Sequence, residues 1–214
     1  MTKIPVTYYQ KTEELFNVIS HLTGLILSIA ALALLVTFAS IYGTVWHIVS
    51  FSIFGSSLVI LYLASTVYHA ARSRAWRRKL NVFDHAAIYV LIAGTYTPFC
   101  LVTLNGPMGW VLFGIVWGLA LVGIILKIFF TGRFNLLSTI SYVLIGWVVL
   151  IAIKPLIENL DAGGLWLLVL GGISYSVGAV FYAVDKIRFN HAIFHVWVLI
   201  GSILHFLSVF FYLL

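Results

Sequence analysis

Three histidines and an aspartate stand at the ends of long apolar segments, where side chains that bind metal ions or transfer protons are unusual. His69 ends one such segment, Asp84 lies near the start of the next, and His191 and His195 begin the last. Polar and ionisable side chains at membrane depth are costly unless they are partnered or hydrated, so each of them indicates a function.

The spacing of these residues suits a shared metal ion. His191-x-x-x-His195 places two imidazoles on one helix face, with roughly 6 Å between their β-carbons. Ser65 stands one helical turn before His69 and brings a hydroxyl beside the third imidazole. Three nitrogen ligands with an open fourth position are typical of catalytic Zn²⁺, which activates a bound water. Asp84 would then hydrogen-bond that water or orient an imidazole, and Ser65 would stabilise an oxyanion.

The same residues have other interpretations. Histidines at the headgroup level of a membrane can hydrogen-bond to the backbone without binding a metal. A metal ion on the three histidines could also be a structural clip between the second and the seventh helix. The sequence leaves the catalytic and the structural metal open, and all-imidazole ligation favours zinc over magnesium or calcium.

The composition defines the surroundings of these residues. The chain has 214 residues, of which 63% are apolar and 8% are charged, and its mean hydropathy is +1.12. A soluble domain carries about 25% charged residues, so this chain lacks the polar surface of a dissolved monomer. Together with the one cysteine, these values exclude a disordered chain, a disulfide-rich scaffold and a soluble nucleic-acid binder. We expect membrane lipids as partners and no nucleic acid; no protein partner is indicated.

Seven apolar stretches are long enough to cross a bilayer as helices, which takes about 20 residues. They lack the alternation of apolar and polar residues that membrane barrels need. The sequence therefore predicts an all-α integral membrane protein, a seven-transmembrane-helix bundle in one domain, residues 1–214. The predicted spans are roughly 17–38, 45–69, 82–104, 109–129, 135–153, 164–184 and 192–213.

Basic residues divide unevenly between the two membrane sides. One side carries eleven of the lysines and arginines, and the other carries only Lys154. The excess predicts a multi-pass protein of the cell membrane with a cytoplasmic N-terminus and an extracytoplasmic C-terminus. The helix ends with the three histidines and the aspartate then share the cytoplasmic side. We interpret the basic cluster 72–79 as a topology signal that touches anionic headgroups.

Four segments in combination resemble the bacterial hemolysin III proteins, which belong with the progestin and adiponectin receptors and, more distantly, the alkaline ceramidases. These segments are EELFNVISHLTG (13–24), STVYH (65–69), FDHAAIYVLIAGTYTPF (83–99) and HAIFHVWVLIG (191–201). The resemblance covers nearly the whole chain and implies a seven-helix bundle with zinc on His69, His191 and His195. It also implies Asp84 as the carboxylate at the zinc-bound water and Ser65 as the hydroxyl beside it.

Two classes of function follow from these observations. The first is a zinc-dependent hydrolase of a lipid amide or ester, similar to a ceramidase, whose substrate enters between helices. The second is a non-enzymatic membrane protein with a structural zinc, either a cytolysin or a receptor-like regulator of membrane lipid composition. A channel or transporter is a weaker hypothesis, because charged residues do not recur at mid-membrane depth on successive helices.

The remaining polar residues are interpreted as packing residues. A stripe of polar and small residues on the first helix is typical of close helix packing with interhelical hydrogen bonds. His85 points about 100° away from Asp84, and His205 lies about 15 Å deeper than His195. We expect His205 to hydrogen-bond inside the bundle or to line a cavity, and Pro98 to kink the third helix. The stripe consists of Glu14, Asn17, His21, Gly24 and Ser28.

Overall fold

A computed structural model describes residues 7–214, and all of the regular secondary structure in that range is helical. Seven of its segments are long and apolar enough to cross a membrane, which confirms the predicted seven-helix membrane bundle. The helices are α1 (Lys11–Tyr42), α2 (Val45–Ala70), α3 (Arg74–Pro98), α4 (Pro107–Phe130), α5 (Asn135–Gly146), α6 (Ile153–Asn159), α7 (Ala162–Ala183) and α8 (Asn190–Tyr212). The fifth span consists of α5 and α6 with the residues between them.

Several helices extend beyond the predicted spans, and the third begins eight residues before the predicted residue 82. Hydropathy detects the part of a helix that lies in the hydrocarbon core. The first turns of α1 and α3 carry polar residues and continue the same helices, as expected of segments that extend beyond the hydrocarbon core. We call the membrane face at which α2, α4 and α7 end, and α1, α3, α5 and α8 begin, the histidine face.

Two apolar cores hold the bundle together, and α3 belongs to both. The larger core joins α1, α2, α3 and α8 with residues of α6, and the smaller core joins α3, α4 and α5. Side chains on the outside of the bundle are also apolar, as expected of a surface that contacts lipid. The helix α3 is the most buried span, and Arg77, Asn81 and Asp84 in its first half are buried as well.

The helices α1, α2 and α8 are joined by one close contact and one hydrogen-bonded cluster. A β-carbon at Gly24 would lie 2.4 Å from the ring of Tyr62, so only glycine lets α1 approach α2 this closely. The Tyr62 hydroxyl donates to Ser202 Oγ at 2.8 Å, and Tyr175 Oη lies 2.9 Å from the same oxygen. Such small residues and interhelical hydrogen bonds hold helices together in a membrane.

Two spans are irregular, the third at its last residues and the fifth near its middle. Pro98 ends the regular part of α3 and is followed by a π-helical turn, Phe99–Thr103. The fifth span is interrupted by a 3₁₀ turn, Val148–Ala152. Backbone groups released by such a break need partners, because the hydrocarbon core offers none.

Tyr96 of α3 supplies partners for the break in the fifth span. Its hydroxyl lies 3.0 Å from the Ile145 carbonyl oxygen and 2.8 Å from that of Gly146, to which it donates. The same oxygen accepts a hydrogen bond from the Val149 backbone N–H at 2.8 Å. One phenol therefore stabilises the interrupted backbone on both sides.

We predict that Tyr96→Phe destabilises the protein by about 1–3 kcal/mol, because it leaves buried backbone groups without their partner. The measurement is the melting temperature of the purified protein in detergent. Tyr42→Phe is the control, since Tyr42 is 71% exposed at the end of α1. Equal melting temperatures for the two variants would contradict this role of Tyr96.

Candidate metal centre

The three histidines from distant parts of the chain meet at the histidine face. His69 comes from the last turn of α2, and His191 and His195 come from the first turns of α8. All three are buried, with 4%, 6% and 1% of their surfaces exposed. Each offers one ring nitrogen within 4.8 Å of those of the other two, and Nε2 of His69 lies 3.2 Å from Nε2 of His191.

The 3.2 Å separation between Nε2 of His69 and Nε2 of His191 fits two ligands of one metal ion. Two imidazole nitrogens on one tetrahedral zinc are about 3.3 Å apart, given a Zn–N bond of about 2.05 Å. Three buried rings that turn ring nitrogens towards one point also concentrate lone pairs that a cation would stabilise. The donor set, with nitrogen ligands alone, suits zinc better than a hard cation.

Glu14 of α1 fixes the orientation of the His69 ring. Nδ1 of His69 lies 2.8 Å from Oε2 of Glu14, and the Asn17 side-chain amide is 3.4 Å from the same nitrogen. In the tautomer with the proton on Nδ1, this nitrogen donates a hydrogen bond to the carboxylate. The other ring nitrogen, Nε2, is then unprotonated, and its lone pair is free to bind a metal ion. Carboxylate–histidine pairs of this kind hold metal-ligating imidazoles in the required tautomer.

Arg77 of α3 completes this arrangement from the other side of Glu14. It is 2% exposed and forms an ion pair with Glu14 Oε1. Its Nη1 also donates to carbonyl oxygens at the end of α2, including that of His69 at 3.2 Å. The sequence interpretation of the basic cluster 72–79 as a group that touches lipid headgroups is wrong for Arg77, because this side chain is buried against Glu14 and the end of α2.

The segment before α1 covers the histidines. Tyr9 stacks on His191, with 4.6 Å between the ring centroids, and its backbone N–H donates to Glu14. Burial raises the pKa of the Tyr9 phenol above its ordinary value, so the hydroxyl stays neutral. Arg77 Nε holds the segment by donating to the Thr7 carbonyl oxygen at 2.9 Å.

Ser65 and Asp84 lie on the inner side of the histidines. Ser65 is 1% exposed, and its hydroxyl is near the Asp84 carboxylate without a hydrogen bond of normal length to any described residue. Asp84 is 9% exposed and near enough to His69 to interact with it electrostatically. The Ser65 hydroxyl and the Asp84 carboxylate thus lie side by side in the wall of the cavity that His191 and His195 also line.

A cavity of about 140 Å³ begins at this cluster and continues between α3, α5, α7 and α8. Four of the five predicted site residues line it, and the fifth, His69, contacts His191 at 3.2 Å without lining the cavity. Most of the remaining wall is apolar. The lining site residues are Ser65, Asp84, His191 and His195.

Three further histidines lie in the wall of the same cavity. His21 stacks on His195 with 3.6 Å between ring centroids, and both of its ring nitrogens lack hydrogen-bond partners within residues 7–214. His85, interpreted as a packing residue, also borders the cavity. His205 does both things expected of it, since it lines the cavity and its Nε2 contacts the Leu168 carbonyl oxygen at 3.0 Å.

The sequence interpretation missed the contribution of Glu14 and Arg77. The stripe on α1 does pack closely, as its Gly24 contact with α2 demonstrates, but its first member, Glu14, also hydrogen-bonds His69. The sequence does contain a signal for Glu14. This carboxylate lies on the first turn of a membrane helix, at the same membrane face as the three histidines. For Arg77 the signal was weaker, because basic residues at helix ends are common.

Comparison with known proteins agrees with this architecture. The profile of the family described as "Haemolysin-III related" matches residues 9–206. "Hemolysin-3" of Bacillus cereus is 51% identical over 202 residues, covering 94% of this chain and 92% of the relative. "Hemolysin-3 homolog" of Bacillus subtilis (strain 168) is 54% identical over 200 residues, covering 94% of both chains.

A more distant similarity extends to animals. "Monocyte to macrophage differentiation factor" of Homo sapiens is 27% identical over 177 residues, covering 78% of this chain and 72% of the relative. No solved structure shows a significant match to this chain. The family profile and the two bacterial relatives establish that this multi-pass protein of the cell membrane belongs to the haemolysin-III related family.

Proposed function

We propose that the chain is a zinc-dependent membrane hydrolase that cleaves a lipid amide or ester at the cytoplasmic side of the membrane. The observation that carries the proposal is the convergence of three buried imidazoles, a carboxylate and a hydroxyl at one end of an apolar cavity. A purely structural metal site would not need a carboxylate and a hydroxyl in the wall of a cavity beside it.

Each of these side chains would have a separate role in the reaction. His69, His191 and His195 would hold the zinc ion, which when bound supplies a water of lowered pKa as a nucleophile. Asp84 would accept the proton of the attacking water and return it to the leaving group. Ser65 would donate a hydrogen bond to the carbonyl oxygen as it gains negative charge.

The cavity would hold the acyl chain of the lipid. Its deep wall includes Leu91 and Ile92 of α3 and Val198 of α8, which offer apolar contact but no hydrogen bonds from their side chains. The helix α5 forms one side of the cavity and packs far more sparsely against its neighbours than α1 packs against α2. We propose that the lipid enters from the bilayer beside α5.

A non-enzymatic function is the second candidate, because the ligands come from two different helices. A metal ion on His69 and on the pair from α8 would join α2 to α8 even without a reaction. In that case the protein would act as a cytolysin or as a receptor-like regulator of lipid composition. His191→Ala would then lower the melting temperature while no hydrolytic activity existed to be lost.

The metal content of the purified protein tests the first step of the proposal. We expect about one zinc ion per chain, lost on substitution of any of the three histidines by alanine. His47→Gln is the control, since His47 accepts a hydrogen bond from the Thr44 backbone at the opposite face and glutamine can replace it there. Wild-type protein without metal, purified in the absence of chelators, would contradict a resident zinc site.

Glu14→Gln tests the orientation of His69. The amide loses the charge that holds the Nδ1 proton, so we expect zinc affinity to fall about 10–100-fold. A competition titration against a chelating dye measures this affinity. Glu158→Gln, an exposed carboxylate of α6 at the other membrane face, should bind zinc as the wild type does. Unchanged affinity in the Glu14 variant would remove Glu14 from the site.

Asp84→Asn separates the hydrolase from the structural alternative. We expect bound zinc and an unchanged melting temperature, with turnover of an N-acyl sphingosine or an acyl ester reduced about 10²–10⁴-fold. Release of fatty acid measures the activity, and Asp185→Asn, in an exposed loop at the same face, is the control. Full activity in the Asp84 variant would show that this carboxylate has no catalytic part.

A further inference from the structure

A second cavity lies on the outside of the bundle, between α4 and α5. Its volume is about 510 Å³, and it shares no lining residue with the cavity at the histidines. Apolar side chains of both helices form most of its wall, and Tyr89 of α3 stands at its back. Those apolar residues include Leu119, Val122, Leu126, Leu137, Leu144 and Val148.

One charged residue, Lys127, lines this groove. It lies in the last turn of α4 and is only 3% exposed, so its side chain does not extend into the surrounding solvent as interfacial lysines commonly do. The ammonium group faces the ring of Tyr142, 5.8 Å from its centroid. Within residues 7–214, no carboxylate forms an ion pair with it.

The acidic residues of the chain are occupied elsewhere. Glu13, Glu14 and Asp84 surround the histidines, and the remaining three are exposed in or beside other helix ends. The C-terminal end of α4 offers only a partial negative charge, worth about 0.3–1 kcal/mol to a nearby cation. A buried ammonium group needs a stronger partner than that.

The groove is polar at the end near the histidine face and apolar further into the membrane, as a phospholipid of one leaflet is. Lys127 and the hydroxyls of Ser138 and Ser141 lie towards the histidine face, and Leu119 lies about 12 Å deeper along α4. Exposed Arg133, in the loop between α4 and α5, adds positive charge at the same face. Basic pockets between membrane helices are known to accept anionic headgroups.

We propose that this groove binds an anionic phospholipid, with its phosphate at Lys127 and an acyl chain along the apolar surface between α4 and α5. The phosphate would supply the counter-charge that the chain itself does not provide. The apolar part of the groove favours a lipid over a free phosphate ion, which would gain nothing from contact with leucine and valine side chains.

The test uses the full chain, delipidated in detergent and titrated with phosphatidylglycerol or phosphatidylcholine, with bound lipid counted by native mass spectrometry. We expect phosphatidylglycerol to bind at least about tenfold more tightly, because it keeps a net negative charge, whereas the trimethylammonium group of phosphatidylcholine offsets the charge of its phosphate. Lys127→Gln should abolish that preference, whereas Lys154→Gln, an exposed lysine of α6 at the other face, should retain it. Equal binding of the two lipids by the wild type, or an unchanged preference in Lys127→Gln, would overturn the proposal.

A second pair of variants distinguishes the lipid from a free anion and does not depend on the stability of Lys127→Gln. Val122→Trp fills the apolar part of the groove, and Val111→Trp places the same side chain elsewhere on α4; these valines are 55% and 58% exposed. We expect only Val122→Trp to weaken phosphatidylglycerol binding. If inorganic phosphate competes fully and Val122→Trp has no effect, the site binds a soluble anion and the lipid assignment is wrong.

Discussion

The ion pair between Glu14 and Arg77 is the constraint on which the candidate metal centre depends. The guanidinium is 2% exposed and the carboxylate side chain 17% exposed, so neither charge is well solvated without the other. A buried pair of this kind contributes little net stability, but the loss of one partner is costly because it leaves the other charge uncompensated. The pair therefore fixes the position of the Glu14 carboxylate. The other oxygen of this carboxylate hydrogen-bonds Nδ1 of His69 and so fixes the orientation of the His69 ring.

This constraint explains why one half of the bundle is packed more tightly than the other. The helices α1, α2, α3 and α8 carry the ligands, the carboxylates and Arg77, and hydrogen bonds or close contacts join them throughout. In a membrane the hydrophobic effect does not drive helices together, so such contacts decide which helices are firmly held. The fifth span has fewer of them and leaves space beside α3 and α7. The proposed function, with a rigidly held metal and a lipid that enters the cavity, would use both kinds of packing.

The sequence predicts the spans and the level of the histidines, because both follow from where polar residues interrupt apolar runs. It does not predict the break in the fifth span, whose partner Tyr96 lies some 50 residues away in the chain. The hydrogen bond from Glu14 was missed for a related reason. A polar stripe at helical spacing has the same pattern whether its members pack against a neighbour or orient a ligand, and only the three-dimensional structure distinguishes the two.

Arg77 and Lys127 are two buried cations that differ in where a negatively charged partner can come from, and this difference indicates different functions. Both lie at the histidine face, and both are at most 3% exposed. Arg77 has its carboxylate within the chain, and it serves to position the histidines. Lys127 has none among the described residues and borders a groove open to the bilayer. The energetic cost of an unpaired buried charge applies equally to both, and the proposed phospholipid would supply from the bilayer the counter-charge that the described residues do not give Lys127.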